Sequence, residues 1–158
     1  MNIYNSYDKK IISTVCLFLI SFLLFTHVSS NNVVHAQPSG EIVSFPDRQF
    51  EIAVREAIGK ASGTIDSSEL MFINDLRIES RGIRDLTGIK YFPNLDYLGA
   101  SNNNIQDLSP LSGHPSLRNA NLGDNLISDL SPLATIPNLE YLYLWNNRIT
   151  DISSLRGA

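Results

Sequence analysis

Few residues in this chain could do covalent or proton-transfer chemistry, and those few are scattered. Of the three histidines, His27 and His35 lie within the first 36 residues, which leaves His114 alone beyond them. The single cysteine, Cys16, lies in the same early stretch. A lone histidine with no thiol builds neither a Ser-His-Asp arrangement nor a cysteine metal site. His114 therefore reads as a turn residue bonding nearby backbone. One acidic set does recur: Asp85, Asp107, Asp129 and Asp151 stand 22 residues apart. Carboxylates in register could gather calcium, yet a fixed place in a repeated turn suits bonds to local backbone amides better. Such a ladder offers no cleft in which paired carboxylates could flank a sugar ring. The expectation is no catalytic residue, no metal and no cofactor.

The remaining candidates are aromatic and amide side chains, which recognise rather than react. Tyr97, Tyr141, Tyr143 and Trp145 are of the types enriched at binding hot spots, and Asn119 and Asn121 lie between them in the sequence. Their placement depends on a period of 22 that dominates the chain from Ile73. The units run Ile73 to Asn94, Leu95 to Ser116, Leu117 to Asn138 and Leu139 to Ala158, the last incomplete. They share the pattern L-x-x-L-x-L-x-x-N-x-I-x-D-L-x-x-L, with apolar residues often returning at position 20. Apolar positions 4 and 6 alternate with polar neighbours, as a strand with one buried face requires. Positions 3, 5, 7 and 8 would then face outward in four rows.

The asparagine at position 9 turns the chain after each strand. Its amide both donates and accepts, so Asn103, Asn125 and Asn147 are expected to stack into a ladder bonding the backbone of their own turn and the next one. Ser109-Pro110 and Ser131-Pro132 suit a tight turn or short 3₁₀ segment on the far side, because proline fixes φ. No coil buries its own apolar edge, so stability must come from stacking on neighbours.

Two segments precede the array. Lys9-Lys10, the apolar run Ile11 to Val28 and the small or branched residues before Gln37 form a secretory signal over residues 1–36, with cleavage expected after Ala36. The competing reading is an uncleaved anchor, since this apolar run could just span a bilayer and place the chain on a membrane. Residues 37–40 read as a linker. Residues 41–72 break the period and read as a helical cap, with Asp47 as an N-cap, Phe50, Val54, Ala57 and Ile58 at helical spacing, and a capping box at Asp66 to Glu69. Asp8, Lys9 and Lys10 lie in the leader, so of 16 acidic and 12 basic residues fifteen and ten remain beyond it, net −5. That balance excludes a nucleic-acid partner, which needs a basic face.

The 22-residue unit, the D-L-S-P-L segments at Asp107 to Leu111 and Asp129 to Leu133, and the R-G-I segment at Arg81 to Ile83 resemble the internalin family of bacterial surface and secreted proteins. The stretch Phe45 to Glu69 looks like that family's helical cap. The resemblance covers about 41–158. It implies an α/β solenoid: a right-handed leucine-rich-repeat array of residues 73–158 with a short parallel sheet on its concave face, which contacts host or surface proteins. Departures are His114 at a normally apolar position, Ala100 and Ala120 in place of leucines, and Arg81 in place of the first turn asparagine.

The reading is thus a secreted or surface-held recognition module binding a protein through Tyr97, Asn119, Asn121, Tyr141, Tyr143 and Trp145. Tyr143 and Trp145 have the alternative role of covering the end of the stack. A cell-envelope glycan is the rival ligand, since aromatic and amide surfaces also stack on sugars, and a further alternative is the targeting part of a longer enzyme. Four strands about 4.8 Å apart give a footprint of roughly 320 Å², against the ~800 Å² per partner of a standard interface. Either a weak binder or the first part of a longer array is expected.

Overall fold

The computed structural model describes residues 40–156. The expected leader over 1–36, Cys16 and most of the linker 37–40 lie outside these residues. The described part opens with a two-residue strand, β1 (Ile42–Val43), followed by helix α1 (Arg48–Ile58), strand β2 (Ile65–Asp66) and a short helix α2 (Ser67–Leu70). β1 and β2 pair antiparallel, Ile42 opposite Asp66 and Val43 opposite Ile65. The segment is therefore not all helix, a difference the sequence periodicity does not show.

The ends of α1 follow from its sequence. Asp47 has extended backbone and accepts from Gln49 N and Phe50 N, satisfying two of the donors that a helix start leaves free. At the other end Gly59 takes φ 67°, the left-handed turn in which glycine carries no side-chain penalty. α2 has a full capping box between Asp66 and Glu69.

Four three-residue strands follow: β3 (Asp75–Arg77), β4 (Tyr97–Gly99), β5 (Asn119–Asn121) and β6 (Tyr141–Tyr143). They form one parallel sheet in sequence order. The register steps by one repeat each time: Leu76 faces Leu98, Leu98 faces Ala120, and Ala120 faces Leu142. Each coil returns through a 3₁₀ turn, at Ile89–Tyr91, Ser109–Leu111, Leu133–Thr135 and Ser153–Leu155. In the third coil Pro132 precedes that turn rather than sitting inside it.

The core is one column stacked on the next. Leu76, Leu98 and Ala120 point in from the strands, Ile78, Ala100 and Leu122 from the residues just after them, and Ile83, Ile105 and Ile127 from the turns, all at or near zero exposure. Each fully buried leucine or isoleucine contributes about 1.5–3 kcal/mol, and the coil above or below supplies the cover. Phe50 and Val54 of α1 join the same core. Phe45 meets Phe50 edge-on at 5.2 Å and Phe92 at 6.4 Å. Gly88 makes room for that ring: its φ is 106°, and a Cβ there would lie 2.7 Å from Phe45. Among the described residues no helix is long and apolar enough to cross a membrane.

Candidate binding face

Strands only three residues long show one side chain each to the core and two to the other face. On β3 the outward pair is Asp75 and Arg77, ion-paired at 2.9 Å. The Arg77 guanidinium lies 4.6 Å over the ring of Tyr97 on β4, a favourable cation–π distance. The next two strands are uncharged: Asn119 and Asn121 on β5, Tyr141 and Tyr143 on β6. Tyr141, Tyr143 and Trp145 are 58, 50 and 49% exposed, whereas Tyr97, Asn119 and Asn121 are half-buried. The fold thus gathers five of the six candidates on β5, β6 and the residue row just beyond, with Tyr97 one strand away.

Trp145 is held rather than loose. Its indole lies over Gly123, where a Cβ would run into the ring. Its Nε1 donates to Asp124 Oδ2 at 3.1 Å, and Tyr143 packs edge-on at 6.0 Å. Asn146 Nδ2 donates to the other oxygen of Asp124 at 2.6 Å. These two side-chain donors, Asn146 first, hold the Asp124 carboxyl below its ordinary range.

Three of the outward rows depart in part from the sequence expectation. Gly99 and Gly123 are buried, because Glu79 and Trp145 lie across them. The position-8 residues Ser80, Asn102, Asp124 and Asn146 all take positive φ, between 53° and 59°, a conformation that Asn and Asp tolerate better than most. Their side chains bond along the row, Asn102 Nδ2 to Ser80 Oγ at 2.9 Å. Their role is to turn the chain.

The next residue carries the asparagine ladder. Asn103 Oδ1 accepts from Arg81 N and Ile83 N, and its Nδ2 donates to Ile78 O and Ala100 O. Asn125 accepts from Ile105 N and donates to Ala100 O and Leu122 O. Asn147 accepts from Ile127 N and donates to Leu122 O and Leu144 O. Every cross-coil bond reaches back to the preceding coil rather than on to the next one as the sequence suggests. The first coil has no asparagine at this position, and Arg81 there pairs with Glu56 of α1 at 2.7 Å.

A second ladder runs before the strands and escaped sequence reasoning. Asn94 Nδ2 donates to Met71 O and Asn138 Nδ2 to Pro115 O, each at 2.7 Å, and Ser116 Oγ donates to Pro93 O. Its signal is the repeated Pro93-Asn94, Pro115-Ser116 and Pro137-Asn138.

The chemically active candidates are occupied structurally. Asp85, Asp107, Asp129 and Asp151 each accept from the backbone N two residues on, at 2.7–2.8 Å. Among the described residues no group of three or more His, Cys, Asp or Glu side chains stands together as a metal site would need. His114 is a buried core residue rather than a surface turn residue. It is 3% exposed, in the column of Phe92 and Ile136, with its ring toward the Ile89 and Phe92 backbone but without a well-aligned hydrogen bond to either. Burial pushes its pKa below the ordinary value, against a weaker pull from the Ile89 and Phe92 backbone.

With the coils and their ladders in view, comparison with known proteins becomes decisive. The family model for leucine-rich repeats in two copies matches residues 93–135 and 115–157. An internalin (inlF) of Listeria monocytogenes is 38% identical with TM-score 0.67, over 70% of this chain and 33% of that one. Internalin C2 of the same organism is 31% identical with TM-score 0.57, over 72% of this chain and 61% of that one. This is an internalin-like leucine-rich-repeat protein. The functional domain of InlJ, from the same species, is 26% identical with TM-score 0.51, over 74% and 32% of the two chains. The internalin-like chain therefore spans about a third of the first relative and about three fifths of the second. No curated protein matches the sequence.

Proposed function

We propose that this chain is an extracytoplasmic recognition module that binds a protein partner through the exposed, concave face of its sheet and catalyses no reaction. The observation carrying the reading is the uncharged cluster on β5 and β6: Asn119, Asn121, Tyr141, Tyr143 and Trp145, with Tyr97 beside it. Aromatic side chains held by their neighbours lose little freedom on binding, which favours affinity. The likeness to internalins supports a binding role, and the leader pattern around Lys9-Lys10 and Ile11 to Val28 supports export.

A pull-down tests the partner. The chain and its Tyr143→Ala/Trp145→Ala variant are used to capture from extracts treated beforehand with protease or with glycosidase. Capture that disappears after protease, survives glycosidase and is lost in the variant supports the reading. Capture removed by glycosidase alone would instead make the ligand a cell-envelope glycan. The mass of the natural product in the medium tests export: the expected species begins at Gln37, and retention of residues 1–36 in the membrane would make the module an anchored one.

A further inference from the structure

We infer that the face described above takes an extended, proline-rich peptide segment, with its prolines against Trp145 and Tyr143 and a basic residue near Glu79. The inference rests on the reading of that face as a protein-binding surface and names the kind of segment it fits.

The four described strands offer a strip of about 320 Å², and an extended peptide laid across them is matched to it.

Hydrogen-bond inventory points to proline. Asp124 has both oxygens engaged, by Trp145 Nε1 and Asn146 Nδ2. Glu140 is paired with Arg118 at 3.3 Å. Asn121 Oδ1 accepts from Gly123 N at 3.3 Å, which leaves its Nδ2 to donate outward. The hydroxyls of Tyr141 and Tyr143 are engaged by no other described residue. This end of the face therefore presents amide and hydroxyl donors beside aromatic faces, with each Asp124 oxygen already accepting one bond. A polyproline II segment is the complement, since its carbonyls are fully exposed, its prolines have no N–H, and aromatic-lined grooves receive its rings.

Charge points to the basic residue. At the other end Asp75 is paired with Arg77, while Glu79 lies across Gly99 and forms no ion pair among the described residues. Three strand spacings of about 4.8 Å separate the Glu79 coil from the Trp145 coil. At about 3.1 Å per residue, roughly four to five residues of polyproline II cover that span.

The test uses the whole chain, a fluorescently labelled oligoproline carrying one arginine, the same peptide without arginine, and a chitin oligosaccharide. Peptide anisotropy reads binding, and emission of Trp145, the only tryptophan in the chain, reports contact at the face. The expected result is saturable binding of the arginine peptide with a change in Trp145 emission. Trp145→Ala should weaken it about tenfold or more, as loss of a hot spot does. Glu79→Gln should weaken the arginine peptide and leave the plain oligoproline unchanged. Circular dichroism matching the parent shows that each variant is folded. No saturable binding of either peptide, or an emission change with the oligosaccharide alone, overturns the inference. If the peptides fail while protease-sensitive capture through Tyr143 and Trp145 persists, the proline assignment falls and the protein-binding reading stands.

Discussion

Asp47 Oδ2 accepts the backbone N–H of Arg84 at 2.7 Å, across 37 residues of sequence. The same oxygen accepts from Asp85 N at 3.2 Å, while Oδ1 caps α1 through Gln49 N and Phe50 N. One carboxylate therefore starts the helix and fastens it to the first coil of the repeat. Burial pushes the Asp47 carboxyl up, but the four backbone donors, Arg84 foremost, bring it below its ordinary value.

Replacing that carboxylate is expected to cost more than a simple cap. Asp47→Ala leaves donors at both the helix start and the first coil without a partner, and should destabilise by about 1–3 kcal/mol. Urea denaturation measures it. A midpoint equal to that of the parent would mean that water replaces the bond without cost.

The asparagine ladder makes a second prediction. Asn125 is 5% exposed and serves groups of two coils, so Asn125→Ala should cost about 1–3 kcal/mol. Leu122→Ala, at an inward position just after β5 with no exposure, should cost roughly 2–5 kcal/mol. Equal urea midpoints for parent and either variant would contradict the stacking described above.

The coil period was legible because each turn solves the same problem with the same residue types. Asn103, Asn125 and Asn147 recur where the backbone needs a donor and an acceptor, and Ile83, Ile105 and Ile127 where it needs cover. The contact of Asp47 with Arg84 was not legible, since it depends on how α1 lies against the first coil. β1 and β2, at two residues each, are too short for any period to show. At the candidate face, the outward aromatics followed from strand alternation. The covering of Gly123 by Trp145 did not, because a glycine carries no side chain to announce its neighbour. The burial of His114 is not legible from its polarity, although Phe92 and Ile136 in the same column mark a buried position.

That buried histidine makes stability depend on pH. Its folded pKa lies below 6.5, so as pH falls through that value the unfolded chain takes up a proton that the folded chain refuses. Stability contributed by neutral His114 is therefore complete above about pH 6.5 and declines as pH falls toward the lower folded value. Asp124, Asp129 and Asp151 are held below their ordinary range and titrate at more acidic pH. His114→Leu removes two buried ring nitrogens that lack well-aligned hydrogen bonds and should stabilise by about 1 kcal/mol. It should also flatten the change in urea midpoint between about pH 7 and pH 5. A variant with the same pH slope as the parent would contradict this account.

The pinning of Trp145 has an optical consequence. Gly123→Ala places a methyl group where the indole now lies, so the ring must leave the strand and give up its bond to Asp124. Tryptophan emission should shift to the red, with little change in far-ultraviolet circular dichroism. Unchanged emission would mean that the ring does not rest on Gly123.

The most direct test of the proposed function places a photo-crosslinking amino acid at Tyr143, on the exposed sheet face, and in a second preparation at exposed Ser112, beside the 3₁₀ turn. Each is exposed to cell-surface material and irradiated. The expected result is a discrete, protease-sensitive adduct from position 143 and none from position 112. Adducts of equal yield from both positions, or from position 112 alone, would contradict recognition through the sheet face.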